Sequence, residues 1–236
     1  MRRVAVEKLA KQGEELIVNE AALRYLTGSL RLKNETLLIA FDGEGHEQVA
    51  CLLHSTTGAK LVAKGSITTG LIGTPLTLIY GLPKGDKLDL VARQLCELGL
   101  AELALWNASR SVMKWTPSKV ERKLQRLARV TQEAARQCGR ADQLVITSPD
   151  SLTNLIDRYA NIPYRLFLDP HVDKQWPEDL YLPCVLLVGP EGGISPEEIE
   201  ALQSAGWKGV ALNTPVLRTE TAAIVTCAIA LDRVKS

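Results

Sequence analysis

The apolar positions of this chain change period near residue 75. Before it, short apolar runs are broken by turn residues. Leu37-Leu38-Ile39-Ala40-Phe41 is β-compatible, and Asp42-Gly43-Glu44-Gly45 makes a turn. Gln48-Val49-Ala50-Cys51-Leu52-Leu53 follows as its hairpin partner, because glycine pairs of this kind supply the backbone conformations a tight turn needs. Lys60-Leu61-Val62-Ala63 reads as a further strand, Glu20–Thr27 as one short helix, and the Thr- and Gly-rich stretch Ser66–Pro75 as a linker. Together these predict a small β-barrel-like domain.

From Leu76 onward strands and helices alternate. Leu76–Tyr80, Glu102–Trp106, Tyr164–Leu168, Cys184–Val188 and Gly209–Leu212 read as short buried strands. Helical periodicity covers about 86–98, 118–138, 150–160, 196–205 and 219–233. Such alternation predicts an α/β sheet of parallel strands, buried on both faces.

Composition adds exclusions. The 236 residues are 46% hydrophobic, as in an ordinary soluble globular protein. No apolar run approaches the ~20 residues needed to cross a bilayer, and Met1–Lys8 lacks the apolar stretch of a secretory signal. The expectation is a cytoplasmic protein without membrane attachment. Five cysteines are widely spaced, with no Cys-x-x-Cys and no Cys/His cluster, so no metal site is expected. The three histidines are scattered and no Gly-x-Ser-x-Gly elbow occurs, which gives a Ser-His-Asp hydrolase little support.

Net charge is only +1, but it is unevenly distributed. Residues 84–140 carry 12 Lys/Arg against 6 Asp/Glu, whereas residues 141–236 carry 7 against 13. The basic block centres on the predicted helix 118–138. There Arg122, Arg126, Arg129, Glu133, Arg136 and Arg140 follow at steps of four and three, placing five arginines on one ridge. Like charges at that spacing repel. The ridge is either a solvated face or a surface for a polyanion such as RNA.

Two later segments carry the chemistry. Strand Cys184–Val188 runs into Gly189-Pro190-Glu191-Gly192-Gly193, and Ser195-Pro196-Glu197-Glu198 then opens a helix with Ser195 as N-cap, Pro196 at N1 and Glu198 completing a capping box. The loop lacks the Lys-Ser/Thr of a P-loop and the dinucleotide Gly-x-Gly-x-x-Gly pattern. Its Glu191 would repel phosphate, so a phosphate-free adenosine compound fits better than a nucleotide. A purely structural turn explains the loop about as well. In the second segment, Leu217-Arg218-Thr219-Glu220-Thr221 precedes the small, apolar run Ala222–Leu231. Thr219 is the expected N-cap. Arg218 then lies at the positive end of a helix, where a cation is disfavoured by roughly 0.3–1 kcal/mol. A salt bridge to Glu191 or Glu220 would compensate, or an anionic substrate would.

Taken in order, Gly189–Gly193 with its Ser-Pro-Glu-Glu helix start and Leu217-Arg218-Thr219-Glu220-Thr221-Ala222 resemble the RsmE-type 16S rRNA (uracil-N3)-methyltransferases of the SPOUT superfamily. Lys84-Gly85-Asp86-Lys87, Glu97-Leu98-Gly99, Glu133–Arg140, Arg31-Leu32-Lys33 and Phe41-Asp42-Gly43 match the same family in order. Leu212-Asn213-Thr214-Pro215 departs from it where a glycine and a basic residue are usual, and so does Asn107-Ala108-Ser109-Arg110-Ser111.

The resemblance implies a PUA-like β-barrel RNA-binding domain over 1–70 and a SPOUT α/β domain over 71–236 with a C-terminal trefoil knot. It implies a homodimer that uses S-adenosylmethionine to make 3-methyluridine in the small ribosomal subunit's RNA. By position, the cofactor would contact Leu187, Gly189, Gly192, Leu212, Leu217, Thr219 and Ala222. Catalysis would fall to Arg218, with Glu191 or Glu220 as proton acceptor or as the group orienting that arginine. Ribosomal RNA would meet Arg3, Arg31, Lys33, Lys84, Lys87, Arg122, Arg126, Arg129, Arg136 and Arg140. A methyltransferase on another RNA, or a non-catalytic RNA-binding paralogue in ribosome assembly, is the alternative.

Overall fold

A computed structural model describes residues 1–56, 58–172 and 176–235. The chain forms two compact units. Met1–Gly73 and Gln132–Gln143 make the first, and Thr74–Thr131 with Leu144–Ser236 the second. The expected boundary at 70/71 did not include the return of 132–143, whose contacts are distant in sequence.

In the first unit, β1 (Arg2–Ala5) pairs parallel with β2 (Thr36–Phe41), and β2 forms an antiparallel hairpin with β3 (His46–Ser55). β4 (Gly58–Ala63) and the short β5 (Thr68–Thr69) both pair with β3. Asp42 explains the hairpin turn: its Oδ1 accepts from the Glu44 and His46 amides at 2.8 and 3.1 Å, while Gly43 and Gly45 take positive φ. The strands alternate, and Leu38, Ala40, Ala50, Leu52, Leu61 and Ala63 share one buried cluster with Leu26. Leu26 follows α1 (Glu20–Arg24), which Asn19 caps by accepting from the Ala22 amide at 2.8 Å. The predicted barrel is not closed: the path β1-β2-β3-β4 is an open sheet among the described residues. Part of the expected linker is structure as well, since β5 is a strand and the Gly73 amide donates to Asp142 at 2.9 Å.

The second unit holds a six-stranded sheet in the order β11-β9-β10-β6-β7-β8, every neighbouring pair parallel. Its strands are β6 (Thr74–Gly81), β7 (Leu100–Trp106), β8 (Val145–Asp150), β9 (Tyr164–Leu168), β10 (Cys184–Val188) and β11 (Lys208–Val210). β8 was absent from the sequence expectation. It is a half-exposed edge strand carrying Pro149, so it lacks the continuous apolar run of a buried strand. The helices of this unit are α2 (Lys87–Leu98), the first part of α3 (Pro117–Cys138), α4 (Leu152–Arg158), α5 (Pro196–Ser204) and α6 (Thr219–Arg233).

Side-chain alternation gives the sheet two dry faces. Ile79, Trp106, Phe167, Val185 and Leu187 pack with Leu155 and Tyr159 beside α4 and with Leu202 and Trp207 beside α5. On the opposite side, α6 lies against α2, β10 and β6. Its buried residues Ala222, Ala223, Thr226, Cys227 and Ala230 recur at helical spacing, and their small size allows close approach.

β10 sits between β9 and β6 although both precede it in sequence. From β6 the chain works outward through β7 to β8, and the later strands lie on its other side. The strand order therefore reverses beside β10, and the loops leaving β10 and β6 border a crevice. Open parallel sheets bind ligands at such a point.

Candidate active site

Val188 ends β10 and delivers the chain into Gly189–Gly193. Gly189 and Gly192 of this loop have no room for a side chain. A Cβ on Gly189 would stand 2.9 Å from Ile194 Cγ1, and one on Gly192 would stand 2.9 Å from Arg110 Cβ. Gly193 has φ +73° and its amide donates to the Pro190 carbonyl at 2.9 Å, closing the turn. The predicted capping box then starts α5: the Ser195 amide donates to Glu198 Oε2 at 2.8 Å and the Glu198 amide to Ser195 Oγ at 3.3 Å. The other Glu198 oxygen accepts from the Ser109 amide at 2.7 Å, and Arg110 Nη1 donates to the Gly192 and Ile194 carbonyls at 3.3 and 3.4 Å. The loop after β7 thus braces the glycine loop from outside.

From the other side comes α6. Its helix begins at Thr219, and Arg218, in extended conformation, occupies the N-cap position. Thr219 is therefore not the cap. It is buried, and its hydroxyl donates to the Gly189 carbonyl at 2.6 Å. Arg218 is exposed, and while its carbonyl accepts from the Ala222 amide at 2.8 Å, its guanidinium has no hydrogen bond or ion pair among the described residues. Both expected acidic partners are engaged elsewhere. Lys87 Nζ lies 3.0 Å from Glu191 Oε1 and 3.1 Å from Glu220 Oε2, and the Lys84 amide donates to Glu191 at 3.1 Å.

This pairing sets the charge states. Burial pushes the Glu191 carboxyl up, but backbone amides and Lys87 outweigh it and hold it below the ordinary carboxylate value. Glu220 behaves alike: burial raises it, while its own amide, Lys87 and the field of Arg218 bring it lower. Hydrogen bonds to Glu191 and Glu220 raise the Lys87 ammonium. All three groups are ionised at neutral pH.

A cleft of about 240 Å³ opens over the glycine loop. Gly189, Glu191, Gly192, Leu212, Leu217, Thr219 and Ala222 line it. Leu187 does not: alternation turns it into the core under α4 and α5, and Val188 reaches the cleft instead. The lining also includes Arg110, Asp169 and His171, which were not anticipated. Asp169 is buried, and its Oδ1 accepts from the His171 amide at 2.9 Å. The sequence signal for Asp169 was its place just after strand β9, at the same sheet end as the glycine loop.

The expected basic residues separate into two kinds. Arg122, Arg126 and Arg129 are exposed on α3, with Arg126 bound to Asp89 at 2.7 Å. Arg31, Lys33 and Lys84 are exposed too. Arg136 and Arg140 of the ridge, and Arg3 of β1, are instead held in ion pairs within the first unit. Arg140 is 1% exposed and chelates Asp142 at 2.8 and 2.9 Å. Arg136 is bound to Glu133 and lies over the Tyr25 ring, 4.6 Å from its centroid. Arg3 is bound to Glu47 at 2.7 Å. These three guanidiniums hold the first unit together, because α3 turns its last part toward that unit's core.

A model of the RNA methyltransferase domain family matches residues 72–231. The chain belongs to that family. Among RNA methyltransferases of this kind, it is 33% identical over 158 residues to the ribosomal RNA small subunit methyltransferase E of Mycobacterium bovis. That match covers 64% of this chain and 60% of the relative's length. It is 30% identical over 235 residues to the protein of the same name from Aquifex aeolicus, covering 94% and 96% of the two chains. A Legionella pneumophila structure in complex with the bound cofactor SAM is 26% identical, with a TM-score of 0.86 and coverage of 98% and 97%. A Neisseria gonorrhoeae small subunit methyltransferase E, 22% identical with a TM-score of 0.84 and coverage of 98% and 97%, shares the fold. No group of three or more metal-ligating side chains occurs among the described residues.

Proposed function

We propose that this protein is an S-adenosylmethionine-dependent methyltransferase of the RsmE type, which makes 3-methyluridine in small-subunit ribosomal RNA. One observation carries the reading: the cleft is walled by the glycine loop and the start of α6, and an unpaired, exposed arginine, Arg218, stands between its lining residues Leu217 and Thr219.

The lining fits the cofactor's chemistry. Leu212, Leu217 and Ala222 offer apolar surface for an adenine ring. Asp169 and Glu191 match a cationic ligand. When bound, S-adenosylmethionine supplies an electrophilic methyl group on a sulfonium centre.

The chain's own residues account for the rest. Uracil N3 carries a proton and lies on the pairing edge, so the base must be unpaired to react. Transfer of that proton to solvent water leaves negative charge on O2 and O4. Among the described residues the Arg218 guanidinium at the cleft has no hydrogen-bonded or ion-paired side chain, and stabilising developing charge is the largest single catalytic contribution such a group makes. Glu191 and Glu220 have lowered pKa values and share Lys87, which makes them weak bases. Their pairing favours a positioning role: through Lys87 they tie the glycine loop to α6.

The RNA-binding role of the first unit, its PUA-like character and a trefoil knot in the second belong to the same reading. The position of β10 between β9 and β6 supports the knot. The 81% exposure of Val216, beside Arg218, supports a homodimer interface. Ribosome assembly as the setting makes the protein cytoplasmic.

The test is calorimetric titration with S-adenosylmethionine, followed by incubation with undermethylated small ribosomal subunits and nucleoside mass spectrometry. The expected product is 3-methyluridine, and Arg218→Ala is expected to keep cofactor affinity while losing about 100-fold or more in turnover. A different methylated nucleoside, or equal loss of affinity and turnover, would overturn the assignment.

A further inference from the structure

A second cavity, of about 290 Å³, lies between the loop before α2 and the start of α3. Gly85, Asp86, Met113, Trp115, Arg122 and Lys123 form much of its wall. Trp115 is half-exposed, and its ring has Lys123 Nζ 4.9 Å from the centroid. Arg126 also lines the cavity but is bound to Asp89 at 2.7 Å, so Arg122 and Lys123 are its cations without a carboxylate partner among the described residues. An aromatic face next to two unneutralised cations is the combination that holds a single-stranded nucleotide, with the base on the ring and the phosphate on the charges. The cation now over Trp115 makes an exposed cation–π contact, which is weaker than base stacking.

Two segments join this cavity to the proposed active site. Met113 and Trp115 follow Arg110, which holds the glycine loop through the Gly192 and Ile194 carbonyls. Gly85 and Asp86 follow Lys84, whose amide binds Glu191. The two cavities thus share both of their supporting loops.

From this placement we infer that the Trp115 cavity is a subsite for an RNA nucleotide adjacent to the target base, with the base stacked on Trp115 and its phosphate held by Arg122 and Lys123. The inference rests on the RNA methyltransferase reading and specifies how its substrate strand is held. Asp86 is the lining carboxylate not held by Arg126, and a base amino group could meet it. With Trp115 anchoring the neighbour, the strand is splayed and the reactive base is left unpaired.

The experiment measures the affinity of the full chain for a fluorescein-labelled single-stranded oligoribonucleotide and for the same oligomer with abasic nucleotides. The wild-type protein is expected to bind the base-bearing oligomer at least 10-fold more tightly. Trp115→Ala is expected to erase that difference and leave abasic binding unchanged, whereas Trp115→Phe keeps most of it. Arg122→Ala is expected to weaken both oligomers equally. Trp115→Ala with an unchanged preference, or with equal loss for both oligomers, would overturn the subsite. Cofactor titration of each variant reads folding separately. RNA binding that follows this pattern without methyl transfer would sink the catalytic reading and leave the subsite standing; an absence of RNA binding by the wild type would sink both.

Discussion

The hydroxyl of Thr219 donates to the carbonyl of Gly189 across 2.6 Å, joining the first residue of α6 to the first residue of the glycine loop. Both ends of the bond are buried, and Gly189 and Thr219 line the same cleft. The bond fixes the separation of the two cleft walls. Thr219→Val keeps the shape and removes the donor, leaving the carbonyl unsatisfied at a cost of about 1–3 kcal/mol. Urea denaturation is expected to show that loss, with weaker cofactor binding, while Thr219→Ser stays near wild type. A Thr219→Val protein of wild-type stability would show that the carbonyl finds another donor.

Lys87 makes the second tie between the same walls, and it is sensitive to pH. Glu191 and Glu220 have folded pKa values below their ordinary 4.5. Their stabilising contribution is therefore full at neutral pH and lost as pH falls from 4.5 through the lower folded values. Lys87 is raised above 10.5, so its contribution is full below 10.5 and lost as pH rises through its folded value. Lys87→Met leaves two neighbouring carboxylates without their cation and raises both. The acid limb of a stability profile measured by urea midpoints is expected to move to higher pH. An unmoved limb would mean the carboxylates do not depend on Lys87.

The glycine loop offers a steric prediction. At Gly192 an added methyl would lie 2.9 Å from Arg110 Cβ and 3.0 Å from the Arg110 carbonyl oxygen. Backbone cannot yield there without moving the brace from β7, so Gly192→Ala is expected to cost about 1–3 kcal/mol through overpacking. Gly28→Ala meets nothing within 4 Å and serves as the control. Thermal melts of the two variants decide the matter, and equal melting temperatures would remove the argument for a rigid loop.

What the sequence displayed of this site was its local chemistry. The Ser195 capping box, the strand before the loop and the span of α6 all depend on neighbours within a few residues, and each is found where periodicity puts it. The pairings were not legible. Lys87 reaches Glu191 and Glu220 from over 100 positions away, and Thr219 gives its hydroxyl to Gly189 rather than to its own helix. An even helical step placed Arg140 on one ridge with Arg122, although the helix ends at Cys138 and Arg140 folds inward to Asp142. Charge alone does not distinguish a solvated arginine from a buried, paired one.

That distinction supplies the last prediction. Each phosphate contact contributes about 0.7 to the salt slope of single-stranded RNA binding. Arg122 and Arg129 are exposed on α3. Replacing either by glutamine is expected to flatten the slope by about that amount. Arg126 shares its charge with Asp89 at 2.7 Å, so Arg126→Gln is expected to flatten it less. Arg140→Gln is expected to leave the slope untouched and to destabilise the first unit by about 3 kcal/mol, because it strips a buried partner from Asp142. RNA affinity measured across a range of salt concentrations, beside a denaturation curve for each variant, separates the two behaviours. A salt slope that falls in Arg140→Gln without loss of stability would return that residue to the RNA-binding face.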